Sequence, residues 1–296
     1  MTTSTESSFN HLDPSKNDAL VLVAGATGGV GQLVVANLVT AGYKRIRVLT
    51  RSADKAKKMF GDQVEIAIGD IRDPSTLAAA TEGITHLICA TGTTALPSDR
   101  WDFKQSLGNN PIEQAASWAK IYLDADFRRA NARNSPEAVD ALGVSNLVQA
   151  APENLQRFVF VSSCGVTRKD EFPYSLLNAF GVLDAKAKGE TAILRAGVPY
   201  TILRPGQLTD GPYTSRDFNS LVQASTDGKL GVVVATGDTL NGQTSRIDVA
   251  AACVACLSNT AAKNKAFELV SKGDREASSK ENRPTEIDWE KLFANA

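Results

Sequence analysis

The sequence predicts an α/β protein, a doubly wound parallel sheet carrying a small C-terminal substrate lobe. Three observations carry that expectation. Short runs rich in β-branched residues recur from Leu20 onward, they are apolar throughout rather than alternating, and Ala-rich helical stretches separate most of them. A strand that is apolar on both faces must be covered on both, which is the situation of a parallel sheet between two layers of helices. Such sheets bind ligands at the carboxyl ends of their strands.

Taken in order, LVLVA (20–24) is the first strand, and GATGGVG (25–31) leads from it into QLVVANLVTAG, with a helix expected over 32–41. RIRVLT (45–50) precedes a helix over 53–60, and VEIAI (64–68) one over 74–80. HLICA (86–90) opens onto residues 98–135, which are far longer than a usual connection and contain helix-like stretches. This insertion is expected to border the mouth of the site as a lid or docking surface without forming the phosphate-binding end. Its Trp101, Trp118 and Tyr122 supply an apolar face for substrate or partner. A helix over 136–150 leads to RFVFVSS (157–163), and one over 184–196 to YTILRP (200–205). Beyond Gly206 the expected lobe, about 206–296, holds a strand KLGVVVA (229–235), a helix capped by Asp248 and a strand AFELV (266–270). Residues 1–18 are polar, with neither a signal-peptide core nor the arginines of a transit peptide, and are expected to form a disordered arm before the domain at 19–296.

Composition removes several classes of function. The chain has 296 residues, and Lys+Arg 32 against Asp+Glu 33 gives a formal charge of -1, so no overall field points to nucleic acid. No window approaches the roughly 18 uninterrupted apolar residues of a membrane span. Cysteines 89, 164, 253 and 256 lack framework spacing, which fits a reducing, cytoplasmic setting. Cys253 and Cys256 form a CxxC inside an apolar helical stretch, with no second pair and only two histidines, so buried thiols are expected there and no metal.

The strand, glycine turn and helix at 20–41 form a dinucleotide-binding signature. Gly25, Gly28 and Gly31 have the spacing for a tight turn, close approach to a diphosphate and helix packing, with Thr27, Gly29 and Val30 in the same turn. After the second strand the acidic residue that would hold a ribose 2′-hydroxyl is replaced by Arg51 and Ser52. A guanidinium accepts a 2′-phosphate, which favours NADP(H). Asp70 and Ile71, after the third strand, are placed on the adenine side.

GATGGVG, TRS, GDIRDP, ICATGTTA, RFVFVSS, KAKGE and GVPYTILRPG together resemble the NmrA-like, atypical short-chain dehydrogenase/reductases, over most of residues 20–270. ICATGTTALPSDRW, NSPEAVDALGVSNLV and RPGQLTDGPYTS are similar to a cyanobacterial and chloroplast subgroup. The resemblance implies an extended Rossmann domain binding NADP(H), in a family that includes reductases, regulators and assembly factors. It implies that Ala90, Thr91, Gly92 and Ser162 line the nicotinamide side, that Pro205 and Gly206 close the pocket, and that Ser163 stands at the catalytic-serine position. In FGVLDAKAKGE (180–190), Lys186 stands at the family's lysine, but the tyrosine expected four positions earlier is Val182. The stretch is also similar to the isoflavone and pinoresinol reductases, which lack that tyrosine and use the first lysine of KAK. Both resemblances converge on Lys186, beside an apolar surface of Phe180, Val182 and Leu183 expected to hold a flat substrate; Tyr174 or Tyr213 is the alternative phenol.

Two functions follow. One is an NADPH-dependent reductase of a small, largely apolar carbonyl or conjugated alkene, relying on Lys186. The other is a non-catalytic NADP(H)-binding regulator or assembly factor that docks a protein through its insertion. A tyrosine-dependent epimerase or dehydratase fits less well, and the sequence leaves oligomeric state open.

Overall fold

The protein is described here from a computed structural model covering residues 14–104, 106–209, 230–274 and 287–296. Strands β1 (Leu20–Ala24), β2 (Arg45–Thr50), β3 (Glu65–Ile68), β4 (His86–Cys89), β5 (Arg157–Val161) and β6 (Tyr200–Pro205) run parallel in the order β3-β2-β1-β4-β5-β6. Every residue of β1, β4 and β5 is buried, as the continuous apolar runs require. The strand order reverses between β1 and β4, where Ala24 is in register with Cys89. That reversal leaves a crevice at the carboxyl ends of these two strands.

Two further strands extend the sheet. After the short β7 (Gln207–Thr209) come β8 (Leu230–Ala235), β9 (Gln243–Ser245) and β10 (Lys265–Asp274). β10 lies parallel to β6, and β8 closes the edge antiparallel to β10. Among the described residues of the stretch expected to form a lobe, β8 and β10 extend the main sheet, while β7 and β9 pair apart from it.

Helices cover both faces: α1 (Pro14–Asp18), α2 (Gly29–Thr40), α3 (Ala53–Phe60), α4 (Ala78–Thr81), α5 (Pro111–Leu123), α6 (Ala125–Asn131), α7 (Val144–Ala150), α8 (Tyr174–Leu177), α9 (Val182–Ala196), α10 (Arg246–Ser258) and α11 (Trp289–Asn295). On one face Val34 and Leu38 of α2, Cys253 and Cys256 of α10 and Phe293 of α11 meet Val21, Val159 and Phe267. On the other, Leu77, Val144, Leu147 and Ile193 meet Leu22, Phe158 and Phe160. The CxxC thiols are fully buried, and burial pushes both up from the ordinary thiol value.

Two local expectations are corrected. Residues Pro14–Asp18, assigned to the arm, form a helical turn whose Lys16 Nζ donates to Ala41 O at 3.2 Å, while residues 1–13 lie outside the described residues. The cap of α10 is Ser245, whose Oγ accepts from Ile247 N at 3.2 Å, so the helix begins before Asp248, which is buried in its first turn.

His86 gives the fold a pH dependence. It lies opposite Arg157 in the β4–β5 register, and burial, with Arg157 beside it, lowers its pKa to about 4. Between about pH 4 and 6.5 the unfolded chain therefore binds more protons than the folded one, so stability rises with pH across that window and is lost as pH falls, by up to ~3 kcal/mol. Asp70, Asp184 and Asp238 are held below their ordinary value of 3.8, so their contributions fade only at still lower pH. Urea unfolding across pH 4 to 6.5 should give a sloping stability that His86→Gln flattens; an unchanged slope in the variant contradicts this account.

Candidate active site

The diphosphate end is built by the glycine turn. Gly25 has φ +81, and a Cβ there would lie 2.8 Å from Ala90 C and O and from Thr91 N, so the first turn can touch the strand-end backbone only as glycine. At Gly31 a Cβ would stand 2.1 Å from Gly25 O, which lets α2 close onto the turn. Gly28 N donates to Gly25 O at 2.9 Å, and α2 starts with no side-chain cap and no acidic residue in its first turn. Its free N–H groups and dipole suit an anion. Thr27 is half-buried, Val30 is buried, and Gly29 lies against the Arg246 side chain. The residues present thus fit a dinucleotide, in a turn whose own backbone packing a side chain at Gly25 or Gly31 would break.

The adenosine end gathers residues from three elements. Arg51 is exposed, and its Nη1 donates to Asn134 Oδ1 at 3.4 Å. Ser52 caps α3, accepting from Lys55 N at 3.3 Å. Asp70, expected to face adenine, is held instead by Arg72, whose Nε donates to Oδ1 at 2.9 Å and to Oδ2 at 3.0 Å. Burial pushes the Asp70 carboxyl up, but the Arg72 hydrogen bonds outweigh this and hold it below the usual value. Ile71 keeps its side chain in the core and gives its carbonyl to Asn146.

The nicotinamide end is organised by a buried ion pair. Lys186 and Asp140 are buried, with Nζ 2.8 Å from Asp140 Oδ1. The directed hydrogen bonds of Nζ run to Val161 O at 2.7 Å and Thr91 O at 3.3 Å, so the ammonium ties the ends of β4 and β5 together. Asp140 Oδ2 accepts from Thr93 N at 3.2 Å and Thr93 Oγ1 at 2.8 Å. Asp140 lies in a π-helical stretch, Glu137–Gly143, that runs into α7; such widened turns aim a side chain that a regular helix would not. The Gly of KAKGE allows this packing: a Cβ at Gly189 would lie 2.5 Å from Asp140 O. Gly92, exposed above the pair, puts no side chain over it; a Cβ there would be 3.6 Å from both Asp140 Oδ1 and Lys186 Nζ.

Other expected residues take structural roles. Val182 and Leu183 are buried, so they form core rather than a substrate-facing surface, and Phe180 packs edge-on against Tyr122 at 5.4 Å. The Ser162 hydroxyl is buried and donates to Glu190, which also pairs with Arg204 at 2.7 Å, so it does not face the nicotinamide side. Ser163 is half-buried, and its Oγ donates to Cys164 O at 3.0 Å, a strand-end backbone contact. Pro205 is buried at the end of β6, and Gly206 packs on Gly242 O, which a Cβ would approach to 2.3 Å. The Tyr174 hydroxyl bonds Asn241 and Leu240 O and its ring stacks under Arg168, so its phenol is committed to holding the 165–174 turn. Tyr213 lies outside the described residues.

The insertion reaches both ends of the crevice, which corrects its assignment to the mouth alone. Tyr122 touches Phe180 on one side, while Asn134 touches Arg51 and Arg72 on the other. Trp101 is buried and gives its indole N–H to Thr94 O and Oγ1, so it anchors the insertion rather than facing a ligand.

With this geometry in place the comparisons decide the family. A profile described as NAD(P)H-binding matches residues 25–260. The chain belongs to the NAD(P)H-binding family of atypical short-chain dehydrogenase/reductases. It is 34% identical over 267 residues to sanguinarine reductase of Eschscholzia californica, covering 87% of this chain and 91% of that protein. It is 31% identical over 224 residues to Protein TIC 62 of Oryza sativa, covering 74% of this chain but only 41% of that longer protein. Photosystem II assembly factor Ycf39 of Trieres chinensis is 26% identical over 250 residues, covering 84% of this chain and 63% of that protein. A solved putative NAD-dependent epimerase/dehydratase from Bacillus halodurans has the same fold, with a TM-score of 0.62 at 20% identity, covering 94% of this chain and 100% of that one.

Asp140 was missed because its partner is 46 residues away (186 − 140) and forms no spacing motif. One signal was available: Asp140 stands at the same helical stripe as the buried Val144 and Leu147, where a carboxylate needs a cation. Asp140→Asn keeps the shape and an acceptor for Thr93 but strands the ammonium, and should cost about 3 kcal/mol in urea unfolding. Asp140→Leu with Lys186→Met should regain much of that loss. An Asp140→Asn variant as stable as the parent contradicts the pairing.

Proposed function

We propose that the chain is an NADPH-dependent reductase of a small, largely apolar carbonyl or conjugated alkene, in which Lys186 replaces the missing tyrosine as the proton-handling group. The observation that carries this reading is the position of Lys186: its ammonium lies at the strand ends, under exposed Gly92, with Val182 packed into the core where a phenol would otherwise stand. The similarity to sanguinarine reductase along nearly the whole of both chains supports it.

When bound, the cofactor supplies a hydride. The chain's residues would do the rest: the glycine turn and the start of α2 would hold the diphosphate, and Arg51 would hold the 2′-phosphate. The Lys186 ammonium has three oxygen partners, of which Thr91 O at 3.3 Å is held at the greatest distance. The N–H on Thr91 O is the one available to a cofactor hydroxyl or a substrate oxygen. Asp140 and Val161 O keep the nitrogen in place as that bond is exchanged, and a proton given up is replaced from water at the Gly92 side.

The regulator or assembly-factor reading rests on a separate observation: Ile112 and Leu123 of the insertion are 83% and 86% exposed. Exposed aliphatic side chains at the two ends of one helix, α5, suit a protein contact. The similarity to a photosystem II assembly factor points the same way.

Purified protein incubated with NADPH and a series of flat apolar quinones and enones separates the two. The reductase reading expects cofactor oxidation that Lys186→Met lowers at least about a hundredfold in kcat, the scale of a lost general acid, while NADPH binding weakens only modestly. Val182→Tyr should lose stability by about 1–3 kcal/mol from overpacking and gain no activity. Tight NADPH binding with no turnover of any acceptor, or robust carbonyl reduction by Val182→Tyr, contradicts it.

A further inference from the structure

The adenosine end contains more than the single arginine that the sequence marks. Arg72 and Arg51 both direct Nη1 at one atom, Asn134 Oδ1, at 2.7 and 3.4 Å. Two guanidinium groups on one neutral amide oxygen repel each other; among the described residues only Arg72 forms an ion pair, with Asp70, whose carboxylate also lies within electrostatic reach of Arg51. A phosphate oxygen is the stronger acceptor for the same N–H groups and carries the charge this pair lacks.

Arg72 also removes an obstacle. A free Asp70 carboxylate beside the two arginines would repel a 2′-phosphate. Here Arg72 occupies both Asp70 oxygens and offsets that repulsion. Arg72 is fixed from the insertion: its Nη1 also donates to Arg133 O at 2.9 Å. Asn134 is fixed in turn, its N donating to Trp101 O at 2.6 Å and its Nδ2 to Arg100 O at 3.1 Å, on the backbone that buried Trp101 anchors.

We propose that the 2′-phosphate is read by a composite of Arg51 and Arg72 that Asn134 sets in place, which makes the insertion a working part of cofactor selection. Arg72 is a specificity-determining residue, and Asn134 is a positioning residue whose amide oxygen occupies the place of a phosphate acceptor. The proposal rests on the NADPH preference assigned above to Arg51 and extends it to two residues outside the β2 turn.

The test is calorimetric titration of the full chain and its variants with NADPH, NADH, 2′,5′-ADP and 5′-AMP. Arg72→Gln should weaken NADPH and 2′,5′-ADP by about tenfold or more, the effect of one charge-assisted bond, and leave NADH and 5′-AMP unchanged. Asn134→Ala should weaken the two phosphorylated ligands selectively by several-fold, about the scale of a lost hydrogen bond. Asn134→Asp, which keeps the shape and puts a carboxylate between the arginines, should do so more strongly. A merely structural role would weaken all four ligands alike, and that result overturns the proposal. If the parent prefers NADPH and Arg51→Ala abolishes the preference while Arg72→Gln and Asn134→Ala retain it, the composite is wrong and the Arg51 reading stands. If the parent binds NADPH and NADH equally, both fail.

Discussion

The buried Lys186–Asp140 pair is the constraint around which the crevice is arranged. An ammonium and a carboxylate removed from water must satisfy each other and fill their remaining hydrogen bonds nearby. Lys186 forms an ion pair with Asp140 Oδ1 and donates to Val161 O and Thr91 O, while Asp140 Oδ2 accepts from the backbone and hydroxyl of Thr93 and Oδ1 is left with the ion pair alone. Each partner fixes a different element: the end of β5, the chain after β4, and the helix entering α7. The π-helical turn and Gly189 are what allow the carboxylate to reach the lysine at all. The pair also carries the proposed chemistry, in which the charged donor of Lys186 serves in place of the family's missing phenol.

The opposite end of the crevice follows another logic, that of exposed charge gathered for an anion. Arg51 and Arg72 are only partly shielded, and the amide of Asn134 brings them together. The insertion is common to both ends. Its base grips the arginines, its Tyr122 touches Phe180 beside the helix of Lys186, and Trp101 pins the turn between them. A segment that looks like an appendage in sequence is thus part of the wall of the site.

Much of this was legible in the sequence because its causes are local. The turn GATGGVG follows a strand and opens a helix, and only glycine tolerates the backbone contacts at positions 25 and 31. Continuous apolar runs announced buried parallel strands. What was not legible arises from contacts distant in sequence. Asp140 is a carboxylate whose meaning depends on Lys186. Asp70 is held by Arg72 only two residues on, while the fold alone brings Asn134 to Arg72 and Arg51. AFELV was assigned to a lobe because strand pairing across the sheet edge, β6 with β10 and β10 with β8, leaves no mark in either segment alone. Ser245 caps α10 in place of Asp248 because both residue types are good caps and β9 runs directly into the helix at Ser245.

A crystal structure of the NADPH complex tests the central claim most directly. The account predicts a 2′-phosphate in contact with Arg51 and Arg72, and Lys186 Nζ within hydrogen-bond distance of a nicotinamide ribose hydroxyl while still paired with Asp140. A bound cofactor that leaves all three Lys186 partners unchanged and makes no contact with its ammonium would contradict it.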